Sequence, residues 1–351
     1  MGKRFAGIGQ KMQPITGPAV WNRKEIEADE SWLFHLTSPV KKELHEAVKK
    51  LSSTTINFSK LTQEDFLLPS FKNTAAEMRE VLSYGRGLAK LSGFDVADYE
   101  VEEAKLAYFG ISLHLGMPVS QSYRGDYIGE VIDKQDPVDR RPYHNGGEFI
   151  MHRDPTADVV GLMSIRKGKT GGLSRVMSAA TVHNVLLAEK SELMDTLYKG
   201  YPYMRTTPDR GDTELYTPYR IPVFKFSEKG EFMAHYIPGF SEFYQERDGI
   251  SGDHIEVTAQ TAMKNVLWYR PELYLETMLQ PGDMQFVNNR FLMHARTDYE
   301  DWEDSAKYRL LLRIWMQLPD LSPVPADMQH FINRDRADGG IAKLLIKPID
   351  N

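Results

Sequence analysis

Beyond Gly116 the chain runs as short, β-rich segments: VVGLMSIR, LSRVMSA, IPVFKFS, FMAHYI, MQFVNNRFLMH and YRLLLRIWMQL. Gly, Pro, Asp or Asn separates each from the next, which is the punctuation of strands joined by turns. FKFSEKGEFMAHY reads as a hairpin turning at Lys229-Gly230. Two helical stretches, AATVHNVLLAEKSELMDTLYKG and TAQTAMKNVLWYR, interrupt the series. Before Gly116 the pattern is helical instead. Ser38-Pro39 supplies a cap residue and a first-turn proline to VKKELHEAVKKL, whose apolar positions follow a 3.6 period. NTAAEMREVLSYGRGLAKL and YEVEEAKLAYFGISLHLG carry the same signature, the latter closing on Gly116 with Pro118 beyond. A helical N-terminal layer on a β-sandwich or barrel, with a jelly roll among the forms, satisfies both halves.

The 351 residues hold no internal repeat, low-complexity tract or linker. A single domain over 1–351 is therefore expected, with a helical layer at 1–104, the β core at 105–320 and a C-terminal extension at 321–351. Lys and Arg number 43 against 49 Asp and Glu, a net charge of −6, so no basic footprint for nucleic acid is present. The absence of cysteine excludes disulfides, thiolate zinc sites and cysteine nucleophiles. No apolar run approaches the roughly 20 residues that span a bilayer. MGKRFAGIGQKMQPITGPAVW is broken by Gly and Pro too early for a signal peptide, and Ala6 stands where a myristoylation site wants Ser or Thr. A cytoplasmic protein without membrane or nucleic-acid partners is expected; self-association into a homo-oligomer is left open.

In EFIMHRDPTADVVGLMSI, His152 and Asp154 stand two apart, a spacing that aims both side chains the same way if they lie in a strand. With a third ligand folding back, they would form the two-histidine, one-carboxylate triad that binds Fe(II) and leaves one face open. Alone, the pair is as readily a surface hydrogen bond or a turn cap before Pro155. QPGDMQFVNNRFLMHARTDYED then places His294 after a Pro-Gly-Asp turn. Arg309 and Arg313 follow in YRLLLRIWMQL, on one face of a strand among apolar neighbours. Buried guanidinium groups need anions, either internal carboxylates or bound ligands.

This ordered set, HxD, then Gly-Gly-x-Ser, then PGD…NNR…H, then R-x-x-x-R, resembles the taurine dioxygenase-like TauD/TfdA family over roughly residues 105 to 320. The resemblance implies a double-stranded β-helix, the jelly roll of clavaminate synthase-like enzymes. It implies an Fe(II)/2-oxoglutarate-dependent dioxygenase that releases succinate and CO2, with dioxygen as cosubstrate. Position by position, His152, Asp154 and His294 match the iron ligands, and Arg309 matches the arginine on the distal carboxylate of 2-oxoglutarate. Ser174 stands where the family usually has a threonine hydrogen-bonding that carboxylate. Arg313 matches a position that in some members binds an anionic group of the substrate. Halogenating members carry a small residue where Asp154 stands, so halogenation is not expected.

Other residues have weaker functional readings beside plain structural ones. Tyr143, His144 and Asn145 in RPYHNGGEF, and Gln121 in GMPVSQSYRG, are candidate substrate contacts; a polar loop with a Gly-Gly turn explains the first three equally. Tyr127 is weaker still, and His183 reads as a packing histidine. RKGKTGG lacks the first glycine of a phosphate-binding loop, because Met163 occupies its place, and is a loop between strands. DYEDWED reads as a solvated loop, and Trp268, Tyr269, Trp302 and Trp315 as core or lid aromatics. The expected activity is oxidation of an unactivated C–H bond in a small anionic or amino-acid-like substrate, by hydroxylation, desaturation or ring closure. A protein-directed hydroxylase and a non-catalytic, cupin-like metal or small-molecule binder are the rivals.

Overall fold

The computed structural model describes residues 9–122, 125–134, 147–204, 215–319 and 321–330. The chain opens with α1 (Arg23–Glu27), β1 (Leu33–His35) and α2 (Ser38–Ser52). Then come α3 (Lys72–Tyr84), β2 (Leu88–Ser92), α4 (Val101–Leu115), β3 (Met117–Val119) and β4 (Ile128–Val131). The central stretch is β5 (Phe149–His152), β6 (Val159–Arg166), β7 (Thr170–Gly171), β8 (Ser174–Ser178), α5 (Ala179–Glu189) and α6 (Met194–Lys199). A hairpin of β9 (Phe224–Phe226) and β10 (Phe232–Ala234) precedes α7 (Phe243–Arg247) and α8 (Ile255–Tyr269). The last strands are β11 (Tyr274–Thr277), β12 (Met284–Asn288), β13 (Leu292–Arg296), β14 (Tyr299–Glu300) and β15 (Leu310–Gln317).

A seven-stranded sheet runs β1-β2-β12-β6-β15-β3, with β4 also paired to β15. A four-stranded sheet runs β11-β8-β13-β5. Together they form the expected jelly-roll architecture, as two sheets and not as a closed barrel. Alternation along the large sheet decides what each face buries. Met284 and Phe286 of β12, Met163 of β6, and Leu310, Leu312, Ile314 and Met316 of β15 pack in one core with residues of α2, α3 and α4. Val287, Val160 and Trp315 turn the other way and share a core with Val176, Met177, Leu292 and Met293 of the small sheet. The functional residues lie on that inner side.

Three sequence expectations are corrected here. NTAAEMREVLSYGRGLAKL is not one helix: α3 stops at Tyr84, and Leu88–Ser92 is strand β2, paired with both β1 and β12. Gly85 and Gly87 punctuate the stretch, and Gly87 has φ +77, a conformation that favours glycine and cannot continue a helix. The segment read as the helical layer thus contributes β1 and β2 to the large sheet. MQFVNNRFLMH is likewise two strands, because β12 joins the large sheet and β13 the small one. AATVHNVLLAEKSELMDTLYKG divides at Lys190 into α5 and α6. The hairpin after Phe226 forms as expected, with Phe232 opposite Phe226.

Candidate metal centre and its surroundings

His152 closes β5 and His294 sits within β13, and the two are direct partners in the antiparallel register. Their rings lie 4.4 Å apart, centroid to centroid. Asp154 completes the group from outside the strand, since β5 ends at His152. Its placement therefore rests on something other than strand alternation. Asn289, in the turn between β12 and β13, supplies it: Oδ1 accepts from Asp154 N at 3.0 Å, while Nδ2 donates to Asp154 O at 2.8 Å and Ala157 O at 2.7 Å. The next residue, Arg290, is ion-paired to Asp158 at 2.7 Å. Asn289 and Arg290 of the NNR motif thus clamp the chain that follows His152, while Asn288 holds Leu82 O at the end of α3.

One ligand atom from each of His152, Asp154 and His294 lies within 4.8 Å of the others, and all three residues are buried. Asp154 Oδ1 is 3.5 Å from His152 Nε2 and 3.9 Å from His294 Nε2. His152 Nδ1 donates to the carbonyl of Ile150 at 2.7 Å, which turns Nε2 toward Asp154. That Nε2 is buried and has no hydrogen-bond partner among the described residues. Burial, followed by the influence of His152, pushes the His294 imidazole down to about 3, so it is a neutral ligand at ordinary pH. Burial alone would raise the Asp154 carboxyl, but the Arg313 charge and the His152 and His294 rings hold it far below the usual carboxylate range. Two imidazoles and one carboxylate, with a buried orphan nitrogen aimed among them, fit a divalent metal of borderline softness.

The other carboxylate oxygen of Asp154 has its own partners. Trp315 Nε1 donates to Oδ2 at 2.6 Å, and Arg313 Nη1 approaches it at 3.5 Å. Arg313 thus has a buried acid beside it after all, supplied from across the cavity and not from its own strand. Gln121 accepts from Arg313 Nε at 2.8 Å. The sequence reading placed Arg313 and Gln121 independently at the substrate; the structure brings them into contact with each other. Trp315, read as core filler, was missed as a partner of the metal carboxylate. Its position two residues beyond Arg313, on the same strand face, was the available signal.

Arg309 lies just before β15 and is also buried. Its backbone N donates to Asp301 Oδ1 at 2.6 Å, so Asp301 of the DYEDWED run caps a strand start in addition to lining a loop. Its Nη1 is buried without a hydrogen-bond partner among the described residues. Burial, with the neighbouring Arg296 charge, lowers its guanidinium to about 10, which leaves it protonated at neutral pH. The guanidinium groups of Arg309 and Arg296 lie 5.0 and 4.6 Å from the Tyr299 ring, a cation–π arrangement that sequence reading did not find. Gly172 has φ +73, and a Cβ there would come within 2.9 Å of Arg309 Nε, so this glycine makes room for the arginine side chain. Ser174 is buried nearby on β8, opposite Arg296 in register, and its Oγ accepts from Gln285 Nε2 at 2.9 Å.

Tyr143, His144 and Asn145 lie outside the described residues. Tyr127 contributes its backbone carbonyl, which accepts from Gln121 Nε2 at 3.0 Å. His183 is fully buried against Phe224, Phe226 and Phe232, with Nε2 2.6 Å from the Tyr198 hydroxyl, as a packing histidine should be.

The chain matches the family described as taurine catabolism dioxygenase TauD, TfdA family, over residues 47–315. It belongs to the TauD/TfdA family. The match begins well upstream of residue 105, so the last turn of α2, with α3 and β2, is part of the TauD/TfdA pattern. As a member, the chain is a dioxygenase. FR-33289 synthase of Streptomyces rubellomurinus (strain ATCC 31215) is 27% identical over 324 residues, covering 90% of this chain and 94% of that protein. Taurine hydroxylase-like protein SAT17 of Stachybotrys chartarum (strain CBS 109288 / IBT 7711) is 20% identical over 340 residues, with 90% and 84% covered. Asparagine oxygenase in complex with Fe(II), 2S,3S-3-hydroxyasparagine and succinate superposes with a TM-score of 0.64 at 15% identity, covering 81% and 93%. Non-heme iron oxygenase OrfP in complex with Fe and alpha-ketoglutaric acid gives 0.60, also at 15% identity and 81% and 93% coverage. These two likenesses are of fold. Among the described residues no helix is long and apolar enough to cross a membrane.

Proposed function

We propose that this TauD/TfdA dioxygenase uses Fe(II), 2-oxoglutarate and dioxygen to oxidise an unactivated C–H bond of a small anionic or amino-acid-like substrate. His152, Asp154 and His294 would hold the iron. When bound, the iron supplies the oxidising chemistry that converts 2-oxoglutarate to succinate and CO2 while the substrate is oxidised. The observation that carries the reading is the pairing of this triad with the orphaned Nη1 of buried Arg309. Arg296, which shares the Tyr299 ring with Arg309, stands two residues from His294, about 7 Å along β13. A five-carbon dicarboxylate spans such a gap, with its far carboxylate on Arg309 and Ser174 close by. A metal-binding barrel without turnover has no use for that cation, which argues against the cupin-like rival.

Two observations support the substrate class. Solved relatives carry 3-hydroxyasparagine and (3R,4R)-dihydroxy-L-Arg, both amino acids. Arg313 and Gln121 border the metal carboxylate, where a substrate anion would meet a guanidinium. The absence of cysteine supports a reducing, cytoplasmic setting. The decisive experiment measures succinate formed from 2-oxoglutarate with added Fe(II) and air, across a panel of small amino, sulfonic, phosphonic and carboxylic acids. Strong stimulation by an anionic or zwitterionic compound is expected. No succinate with any compound, together with no visible charge-transfer band for anaerobic Fe(II) and 2-oxoglutarate, would overturn the reading.

A further inference from the structure

We propose that Trp315, backed by Arg313 and Gln121, is a positioning residue that restricts Asp154 to one-oxygen ligation of the metal. The inference rests on the metal reading above. Asp154 divides its two oxygens between separate tasks. Oδ1 faces the two imidazoles, at 3.5 Å from His152 Nε2 and 3.9 Å from His294 Nε2. Oδ2 is occupied by the indole N–H of Trp315 at 2.6 Å, with Arg313 Nη1 at 3.5 Å. A carboxylate oxygen engaged by a buried donor this closely is turned away from a metal, because bidentate ligation would require breaking that charge-assisted bond and leaving the indole N–H without its acceptor.

The donors are themselves fixed. Gln121 Nε2 donates to two carbonyls, Tyr127 O at 3.0 Å and Arg313 O at 2.9 Å. Both amide hydrogens are thereby used, and only Oε1 is left to face Arg313 Nε. Arg313 is opposite Gly129 in the β15–β4 register. A Cβ on Gly129 would lie 2.8 Å from Gln121 Oε1, so the glycine keeps the amide in place. Arg313 also lies over the Trp315 ring at 5.1 Å, which couples the two donors. All three side chains are buried.

The consequence is a coordination count. Two histidines and one carboxylate oxygen leave three positions of a six-coordinate metal open, enough for a chelating keto acid and one more ligand. A carboxylate using both oxygens would leave two, and the keto acid would fill them.

The test counts metal-bound water, with Mn(II) as the probe on the full chain, by water-proton relaxation. Wild type should show three exchangeable inner-sphere waters, and Trp315→Phe should lose about one third of the inner-sphere relaxivity as Oδ2 turns to the metal. Trp302→Phe, at a half-exposed indole, should match wild type. If Trp315→Phe fails to fold by circular dichroism, replacement of Trp315 with benzothienylalanine keeps the fused ring and removes only the N–H. Equal relaxivity in wild type and the folded N–H-deleted protein would overturn the proposal while leaving the metal reading intact. Failure of wild type itself to bind Mn(II) or Fe(II) would instead overturn the metal reading and this proposal with it.

Discussion

Asn289 closes three hydrogen bonds around the backbone at Asp154, two to Asp154 itself and one to Ala157 O. No other side chain could do this from the same turn without both a donor pair and an acceptor, which only an amide carries. Asn289→Ala should leave three buried backbone groups unsatisfied and destabilise the protein by about 3 kcal/mol, read by chemical denaturation. Asn289→Asp keeps the shape but removes both donors, and should also weaken Mn(II) binding. A stability within 0.5 kcal/mol of wild type, about the scatter of neutral surface changes, would show that the clamp is dispensable.

Arg309→Ala should raise the KM for 2-oxoglutarate by the equivalent of about 2–5 kcal/mol, the usual loss when a buried charged partner is truncated. Arg309→Lys should recover only part of this, since an ammonium lacks the planar fork. Ser174→Ala should cost less, about 1.5–3 kcal/mol, on the order of one hydrogen bond to a charged group. Steady-state kinetics at saturating substrate provide the comparison. A larger effect from Ser174→Ala than from Arg309→Ala would mean that the keto acid lies elsewhere.

Gly172→Ala tests the same pocket through the backbone. At φ +73 an alanine is strained, and its Cβ would press on Arg309 Nε. Left-handed strain costs about 1–2 kcal/mol. The expected signature is a raised KM for 2-oxoglutarate accompanied by a lowered melting temperature. A lowered melting temperature with unchanged KM would separate Gly172 from the position of Arg309.

The pH dependence of stability should register His183. Burial lowers its pKa in the folded state, outweighing the hydrogen bond that its Nδ1 makes to Asn184 Oδ1. Below about pH 6.5 the unfolded chain therefore takes up this proton before the folded one does. The contribution is complete above that pH and is lost as pH falls toward the folded value, at no more than about 1.4 kcal/mol per unit. His183→Gln should flatten the melting temperature against pH between 7 and 5. An unchanged slope would assign the acid sensitivity to other groups.

Much of this molecule follows from local order along the chain. Strand alternation places Arg309 and Arg313 on one face of the β15 segment, whatever that face later meets. Ordered spacing singles out His152, Asp154 and His294, because metal chemistry demands those residue types. Helix α2 follows from its first-turn proline and 3.6 period, and α4 from the capping box of Glu100 and Glu103.

What tertiary structure decided was partnership. LAKLS carries no pattern that opposes a helix, yet it pairs between β1 and β12 once Gly87 has turned the chain. Arg313 has no acid in its own strand, and its neutralisation by Asp154 arises only when the two sheets face each other. Trp315 has the composition of core filler, and only its distance from Asp154 makes it a hydrogen-bond donor to the metal carboxylate. Asp154 itself is aimed by Asn289, 135 residues away in sequence. Local propensity acts over a few residues, whereas a buried polar group takes its partner from whatever chain packing brings within about 3 Å.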